Sequence, residues 1–380
     1  MTAPALQALF DRGTPTPEQI ETFVESNGPF PIYAEGQATF VFVGAADSVR
    51  WQHYIFGLPT SQEFNRLEGT DLWHLTVQLR KMSRIEYKLL IDYGDNAVLI
   101  RDPLNPLRAR DPYGANSVCA TAGYERPEWT WPSETTRAGR MEKYKIYSKA
   151  FGEDRYIQVY RPARFRESCR YPLLVVHDGT DYQRFSAFKI VLDNLIHRLE
   201  IPPMIVVFTD PGDRLREYAA DPRHAEHIVE EVIPEVEAHY NLEERALSRC
   251  IMGASFGGVA SLSTAWRYPK AFGKLLLQSG SFAFTDIGTH HRGPAFDPVV
   301  EFMNEFRKKP GRPAEKIYMS CGIYESLIYE NRSMVPLLQE CGISVRFEEA
   351  RDGHNWENWR DRLRGGLSWL FPGPLWMIYE

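Results

Sequence analysis

The chain of 380 residues carries 44 Lys and Arg against 50 Asp and Glu, for a net charge of −6, with 43% hydrophobic and 25% charged residues. These proportions suit a folded protein of about two domains and exclude a disordered, collagen-like or coiled-coil chain. No Lys/Arg run makes a basic stripe, which argues against nucleic acid as a partner, and no apolar run approaches the ~20 residues of a membrane helix.

The first eleven residues lack a basic region, and Asp11 interrupts their apolar stretch, so they make a poor signal peptide. Thr16-Pro-Glu-Gln19 reads as a capping box with proline at the first helical position and predicts a short helix over 17–25. Alternating segments bounded by turn residues then predict strands over 38–43, 48–51, 72–79, 85–93 and 97–100. That spacing suits an antiparallel β-sandwich of about 100 residues. A Pro- and Trp-rich stretch over 125–132, continued by Ser133-Glu-Thr-Thr-Arg137, reads as a linker. The expected domains are therefore 1–136 and 137–380.

Beyond the linker, strands are predicted over 143–147, 156–161, 171–177, 204–209, 249–252, 274–278, 316–321 and 344–350. Helices fall between most of them, for example over 188–199, 223–240, 257–267, 329–341 and 356–370. Continuous apolar strands separated by helices indicate a mostly parallel sheet covered on both faces, in the order of an α/β-hydrolase. Five widely spaced cysteines (Cys119, Cys169, Cys250, Cys321 and Cys341) form no CxxC pair. Reduced thiols in a cytoplasmic protein, without a disulfide framework or zinc site, are expected.

Gly253-Ala-Ser255-Phe-Gly257 follows an apolar strand and opens a helix, the context of a nucleophile elbow. The sharp turn needs small flanking residues and lifts the Ser255 hydroxyl to a helix N-terminus, where partial positive charge favours a developing oxyanion. A serine needs a base. Of the ten histidines only His354, after the last predicted strand, falls where the base belongs in chain order. His224 and His227, three apart on a helix, read as a solvated face rather than a metal pair. Glu325, ending the run after the penultimate strand, is the expected orienting acid; Asp352, two residues before His354, is a rival, and a Ser-His dyad is a third arrangement. The oxyanion hole is expected from the backbone N–H of Phe256 together with that of Gly179 or Thr180, in the loop after an earlier strand.

With these residues assembled, the chain resembles the enterochelin (enterobactin) esterase family of the esterase-D-like α/β-hydrolases. The resemblance rests on Gly253-Ala-Ser-Phe-Gly-Gly258, Gln278-Ser-Gly-Ser281, Asp178-Gly179, Arg214-Leu-Arg-Glu217, Gly322-Ile-Tyr-Glu325 with Asn331-Arg332, and Asp352-Gly-His-Asn-Trp-Glu-Asn-Trp-Arg360. It implies an N-terminal early-set, immunoglobulin-like domain followed by a hydrolase that cleaves esters by Ser-His catalysis. It also implies that Arg214 and Glu217 line or brace the substrate pocket. The best-known members open the trilactone of a ferric catecholate siderophore, and Arg214, Arg216, Arg292 and Trp359 are the expected cationic and ring contacts for such a substrate.

The chain departs from the family after the Gln-Ser-Gly-Ser strand, where Phe282-Ala-Phe284 and Thr289-His-His-Arg292 replace Trp-rich sequence. Related folds act on feruloyl, acetyl or mycolyl esters, and an acyltransferase would share the acyl-enzyme half of the reaction. The partner is thus a small-molecule ester, with no membrane, metal or organic cofactor implied. The sandwich is expected to cover the active-site mouth or to form a homodimer surface. A reading from another class is a carbohydrate-binding protein that uses Trp51 or Trp73 on a degenerate hydrolase scaffold.

Overall fold

The structure, a computed structural model, describes residues 4–11, 13–285 and 290–374. Its contacts divide the chain into two compact units. The smaller comprises residues 1–125 with two segments from far along the chain, 322–326 and 350–355; the larger comprises 126–321, 327–349 and 356–380.

The smaller unit opens with helices α1 (Pro4–Phe10) and α2 (Pro17–Asn27). The capping box forms as the sequence predicts, with Thr16 Oγ1 accepting from the Gln19 amide and Gln19 Oε1 from that of Thr16. Ten strands follow: β1 (Ile32–Ala34), β2 (Gln37–Val43), β3 (Ser48–His53), β4 (Ser61–Glu63), β5 (Asn65–Arg66), β6 (Leu72–Gln78), β7 (Arg84–Tyr93), β8 (Asn96–Ile100), β9 (Arg108–Asp111) and β10 (Gly114–Ala120). They make two antiparallel sheets, β1-β2-β6-β5 and β4-β3-β7-β10-β9 with β8 on β7. Alternate side chains of both sheets meet in one core, Phe40, Trp73 and Leu75 against Val49, Trp51, Tyr87 and Leu89. Trp51 and Trp73 are buried in it, which removes the rings on which glycan binding was to rest.

The larger unit is built on an eight-stranded sheet. Its strands are β11 (Arg140–Ser148), β12 (Glu153–Arg161), β13 (Leu173–His177), β14 (Ile205–Thr209), β15 (Arg249–Ala254), β16 (Lys274–Gln278), β17 (Lys316–Gly322) and β18 (Ser344–Ala350), in the order β11-β12-β14-β13-β15-β16-β17-β18. Strands β13 to β17 run parallel, and β12 pairs antiparallel with both β11 and β14. This is the α/β-hydrolase sheet. Successive residues of a strand face opposite sides, and here both sides are buried. Leu173, Val175 and Ile251 enter one core; Leu174, Val176 and Met252 enter the other.

The covering helices are α3 (Gly179–Phe185), α4 (Phe188–His197), α5 (Arg214–Glu217), α6 (Pro222–Glu226), α7 (Ile233–His239), α8 (Phe256–Arg267), α9 (Asp297–Lys308), α10 (Ile328–Glu340) and α11 (Trp356–Leu370). The single helix expected over 223–240 is instead α6 and α7 joined by a π-helical stretch, His227–Val232. Pro234 supplies the reason: it lacks an N–H and its ring would crowd the carbonyl four residues back, so the chain widens just before it. Residues 126–136, expected as a linker, are held to the larger unit. Asn194 Nδ2 donates to the carbonyls of Trp129 and Trp131, and Thr136 Oγ1 donates to Asn194 Oδ1. No helix among the described residues is long and apolar enough to cross a membrane.

Candidate active site

Ser255 sits between β15 and α8 with φ 57 and ψ −121, a left-handed conformation that a non-glycine residue adopts only when its surroundings impose it. The surroundings do so. The Ser255 amide donates to the Gln278 carbonyl, and its own carbonyl accepts from the amides of Gly258 and Ser281. A Cβ on Gly253 would lie 2.3 Å from the Gly257 oxygen, and one on Gly258 would lie 3.1 Å from Gly280 Cα, so the glycines permit the close approach. Ser255 Oγ lies 3.2 Å from Ser281 Oγ, the last residue of the Gln278-Ser-Gly-Ser281 segment, to which the sequence reading assigns no role of its own.

The strand end Gln278–Ser281 braces this turn. The Gln278 side chain accepts from Tyr182 Oη and donates to the Trp359 carbonyl, and Asn331 clasps Gly280 through both its amide and carbonyl. Trp359, expected to contact substrate, is only 5% exposed and donates its indole N–H to Ser279 Oγ. Its position is therefore structural: packed on Trp356, it anchors α11 beneath the Gln278–Ser281 turn.

Gly179 opens α3 at the carboxyl end of β13, next in the sheet to β15. A Cβ there would fall 2.4 Å from Phe208 Cβ, so only glycine fits. The Thr180 amide is taken by Asp210 Oδ1 at 3.0 Å, which leaves Gly179 as the better of the two expected oxyanion donors beside Phe256, the first residue of α8. Both amides thus open helices at carboxyl ends of adjacent parallel strands, where the helix field favours negative charge. The Phe256 ring packs edge-on against Phe296.

Arg214 is not an open cation. Its Nε and Nη2 donate at 2.8 Å to the two carboxylate oxygens of Asp178, the residue before Gly179. Burial still pushes the Asp178 carboxyl up, against the pull of Arg214. Glu217 is buried and braces rather than binds. It takes a two-pronged bond from Arg155 at 2.8 and 3.0 Å and accepts from the amides of Gly212 and Asp213, which lead into α5. Burial raises its carboxyl, but His224 and Arg155 outweigh that and hold it well below the usual range. Arg292 pairs with Glu330 and lies over the Phe296 ring, while Arg216 is exposed. Thr289 lies outside the described residues.

Beneath the elbow, His177 at the end of β13 is fully buried. Its Nδ1 reaches the Met252 carbonyl at 3.1 Å, and its Nε2 lies 2.8 Å from His224 Nε2. A carbonyl only accepts, so Nδ1 carries the proton and Nε2 accepts from His224. Burial, then the neighbouring His224, holds the His177 imidazole well below its usual pKa and hence neutral. The unfolded chain takes up this proton below about pH 6.5 while the native state does not, so stability present above that pH is lost as pH falls. Urea midpoints at pH 7.5 and 5.5 should fall less on acidification for His177→Asn than for the wild type; parallel losses would contradict this origin.

In the smaller unit, Glu325 lies in the turn after β17 and His354 in the loop after β18. His354 Nδ1 and Glu325 Oε2 are 2.7 Å apart, and Glu325 Oε1 accepts from the Gly322 amide, also at 2.7 Å. A Cβ on Gly322 would meet the Asp352 carbonyl at 2.2 Å and Glu325 Oε1 at 2.8 Å, so glycine lets the carboxylate fold back on its own turn. The rival acid Asp352 turns away to Arg84, Asn355 and the Gly353 amide, and burial pushes its carboxyl up to about 7 despite Arg84. The serine environment and the His–Glu pair are each ordered within their own unit.

A family model described as "Putative esterase" matches residues 148–370. The chain is 25% identical over 342 residues to the iron(III) enterobactin esterase of Escherichia coli O6:H1 strain CFT073, covering 83% of this chain and 82% of that protein. It is likewise 25% identical to the iron(III) enterobactin esterase of Dickeya dadantii, over 82% of this chain and 80% of the relative. In structure it is similar to the ferric enterobactin esterase of Salmonella typhimurium, with a TM-score of 0.72 at 22% identity over 88% of this chain and 93% of the other. The chain belongs to this esterase family, is enterochelin esterase-like in sequence and fold, and is a carboxylic ester hydrolase.

Proposed function

We propose that the chain hydrolyses an aromatic ester through a Ser255 acyl-enzyme, with a catecholate siderophore trilactone as substrate class. The observation that carries the reading is the strained backbone of Ser255 at a strand-to-helix turn, which holds the hydroxyl at the start of α8. His354 takes the serine proton as the ester carbonyl is attacked, with Glu325 holding its Nδ1–H. The amides of Phe256 and Gly179 receive the oxyanion, His354 protonates the departing alkoxide, and water releases the acyl group. Similarity to enterobactin esterases over more than four-fifths of the chain supports the siderophore class. So does the exposed cation Arg216. A cytoplasmic location and a sandwich-mediated dimer, testable by fractionation and light scattering, complete the proposal.

One observation favours a simpler aromatic or acetyl ester. Phe282, where the resemblance calls for a ring platform, is fully buried, and its ring lies where a Cβ on Gly280 would be. The test is a fluorophosphonate probe on wild type and Ser255→Ala, followed by kcat/KM on ferric and iron-free catecholate trilactones and on nitrophenyl acetate. Ser255-dependent labelling with preference for the trilactones supports the proposal, and preference for nitrophenyl esters moves the substrate to simple esters. A folded, unlabelled wild type rejects the serine mechanism.

Arg214→Ala separates a substrate contact from a brace in the same panel. Because Arg214 is spent on Asp178, turnover of acetate and trilactone esters should fall together, by about tenfold or more. A loss confined to catecholates would make Arg214 a substrate contact instead.

A further inference from the structure

Arg84 opens β7 of the N-terminal sandwich and is only 1% exposed, so its charge must be met inside the protein. It is met by the loop that carries His354. The Arg84 amide donates to the Arg351 carbonyl at 2.9 Å, and its Nη1 donates to Asn355 Oδ1 at 2.9 Å and faces Asp352 Oδ1 at 3.4 Å. Its Nη2 is held by Glu86 on the same strand at 2.8 Å. Asp352 Oδ1 in turn accepts from the Gly353 amide and from Asn355 Nδ2, both at 2.7 Å. Arg351, Asp352, Gly353 and Asn355 are thus bonded to Arg84 directly or through Asp352.

The adjoining residue holds the other loop. Ser83 Oγ lies 2.6 Å from Tyr324 Oη, and the Phe56 amide donates to the Tyr324 carbonyl at 2.8 Å, one residue before Glu325. Two consecutive sandwich residues therefore fix the two loops whose side chains meet at 2.7 Å, His354 and Glu325. Lysine could copy only part of this, since a planar fork addresses separate acceptors while an ammonium is a point charge.

We infer that Arg84 is a positioning residue for the proposed general base: from the N-terminal sandwich it fixes the loop 351–355 so that His354 Nδ1 meets Glu325. The inference rests on the esterase reading for its kinetic consequence. The sandwich then becomes part of the catalytic apparatus rather than an accessory.

The experiment compares wild type, Arg84→Gln and Arg84→Lys in the full chain. The readouts are kcat and KM on a nitrophenyl ester and the pH titration of the His354 ring resonances, assigned by their loss in His354→Asn. Arg84→Gln should lower kcat about 10- to 100-fold with KM little changed, as a small misplacement of a catalytic group does. It should also displace the His354 titration. Arg84→Lys should recover part of both. If Arg84→Gln does not fold, as judged by near-UV circular dichroism, Arg84→Lys and Ser83→Ala carry the same comparison. Folded variants with kcat within twofold of wild type and an unmoved His354 titration would overturn the role, even if their Tm fell. A wild type that is inactive and unlabelled by fluorophosphonate would reject the esterase reading instead, and the His354 titration would still decide what Arg84 does.

Discussion

Ser255→Ala should lower kcat by roughly 10⁴- to 10⁶-fold while leaving the fold intact, since the acyl-enzyme cannot form without the hydroxyl and the rest of the site cannot substitute for it. The stability side of the result is informative as well. At φ 57 and ψ −121, alanine retains the Cβ that makes this conformation costly, so its Tm should stay close to that of the wild type. Ser255→Gly removes the Cβ and relieves strain of order 1–3 kcal/mol, partly offset by the greater freedom of glycine in the unfolded chain. It should be equally inactive and melt at or above the wild type. Activity is measured by nitrophenyl ester turnover and stability by thermal denaturation. A Ser255→Ala variant retaining even a tenth of wild-type turnover would remove the serine from the mechanism, and a Ser255→Gly variant that melts several degrees lower would show that the elbow is not strained.

The parts of this arrangement legible in the sequence are those written locally. A strand buried on both faces must be apolar at consecutive positions, so 173–176 and 205–208 announce a covered parallel sheet before any contact is known. The elbow is local too, because the glycines around Ser255 are demanded by atoms within a few residues of it and by Gly280. What the sequence conceals is partnership over long separations. Arg214 carries the same charge whether it faces a substrate or a carboxylate 36 residues away, and its bond to Asp178 appears only in the fold. Trp359 looks like any ring suited to stacking until Ser279, 80 residues earlier, takes its N–H. Arg84 carries no sequence signal for this role, since its acceptors in the loop that bears His354 lie about 270 residues further along the chain. The bounds of helix α9 are hard to read for another reason: Val299, Val300, Phe302, Met303 and Phe306 show a helical stripe, but it follows a stretch without clear punctuation.

Glu325→Gln should cost about 10³- to 10⁴-fold in kcat with little change in KM, and the reason lies in how the two carboxylate oxygens are spoken for. Oε1 accepts from the Gly322 amide, which can only donate, so the glutamine must present its carbonyl there. Its NH₂ group then faces His354 Nδ1, where the carboxylate had accepted. Two donors cannot bond each other, so the imidazole must move its proton to Nε2 or turn away. With the proton on Nε2 the ring donates where a base must accept, and it can no longer take the serine proton; the corresponding substitution in Ser-His-Asp enzymes has an effect of this size. Flipping the amide does not help, because it would set the NH₂ against the Gly322 amide instead. Glu325→Ala leaves either tautomer free and should be less damaging than the isosteric change, an order that a purely steric role would not produce. Kinetics on a nitrophenyl ester with all three proteins check the ranking. Retention of more than a tenth of wild-type kcat by Glu325→Gln would mean that Ser255 and His354 work as a dyad, with the 2.7 Å bond serving only to order the turn after β17.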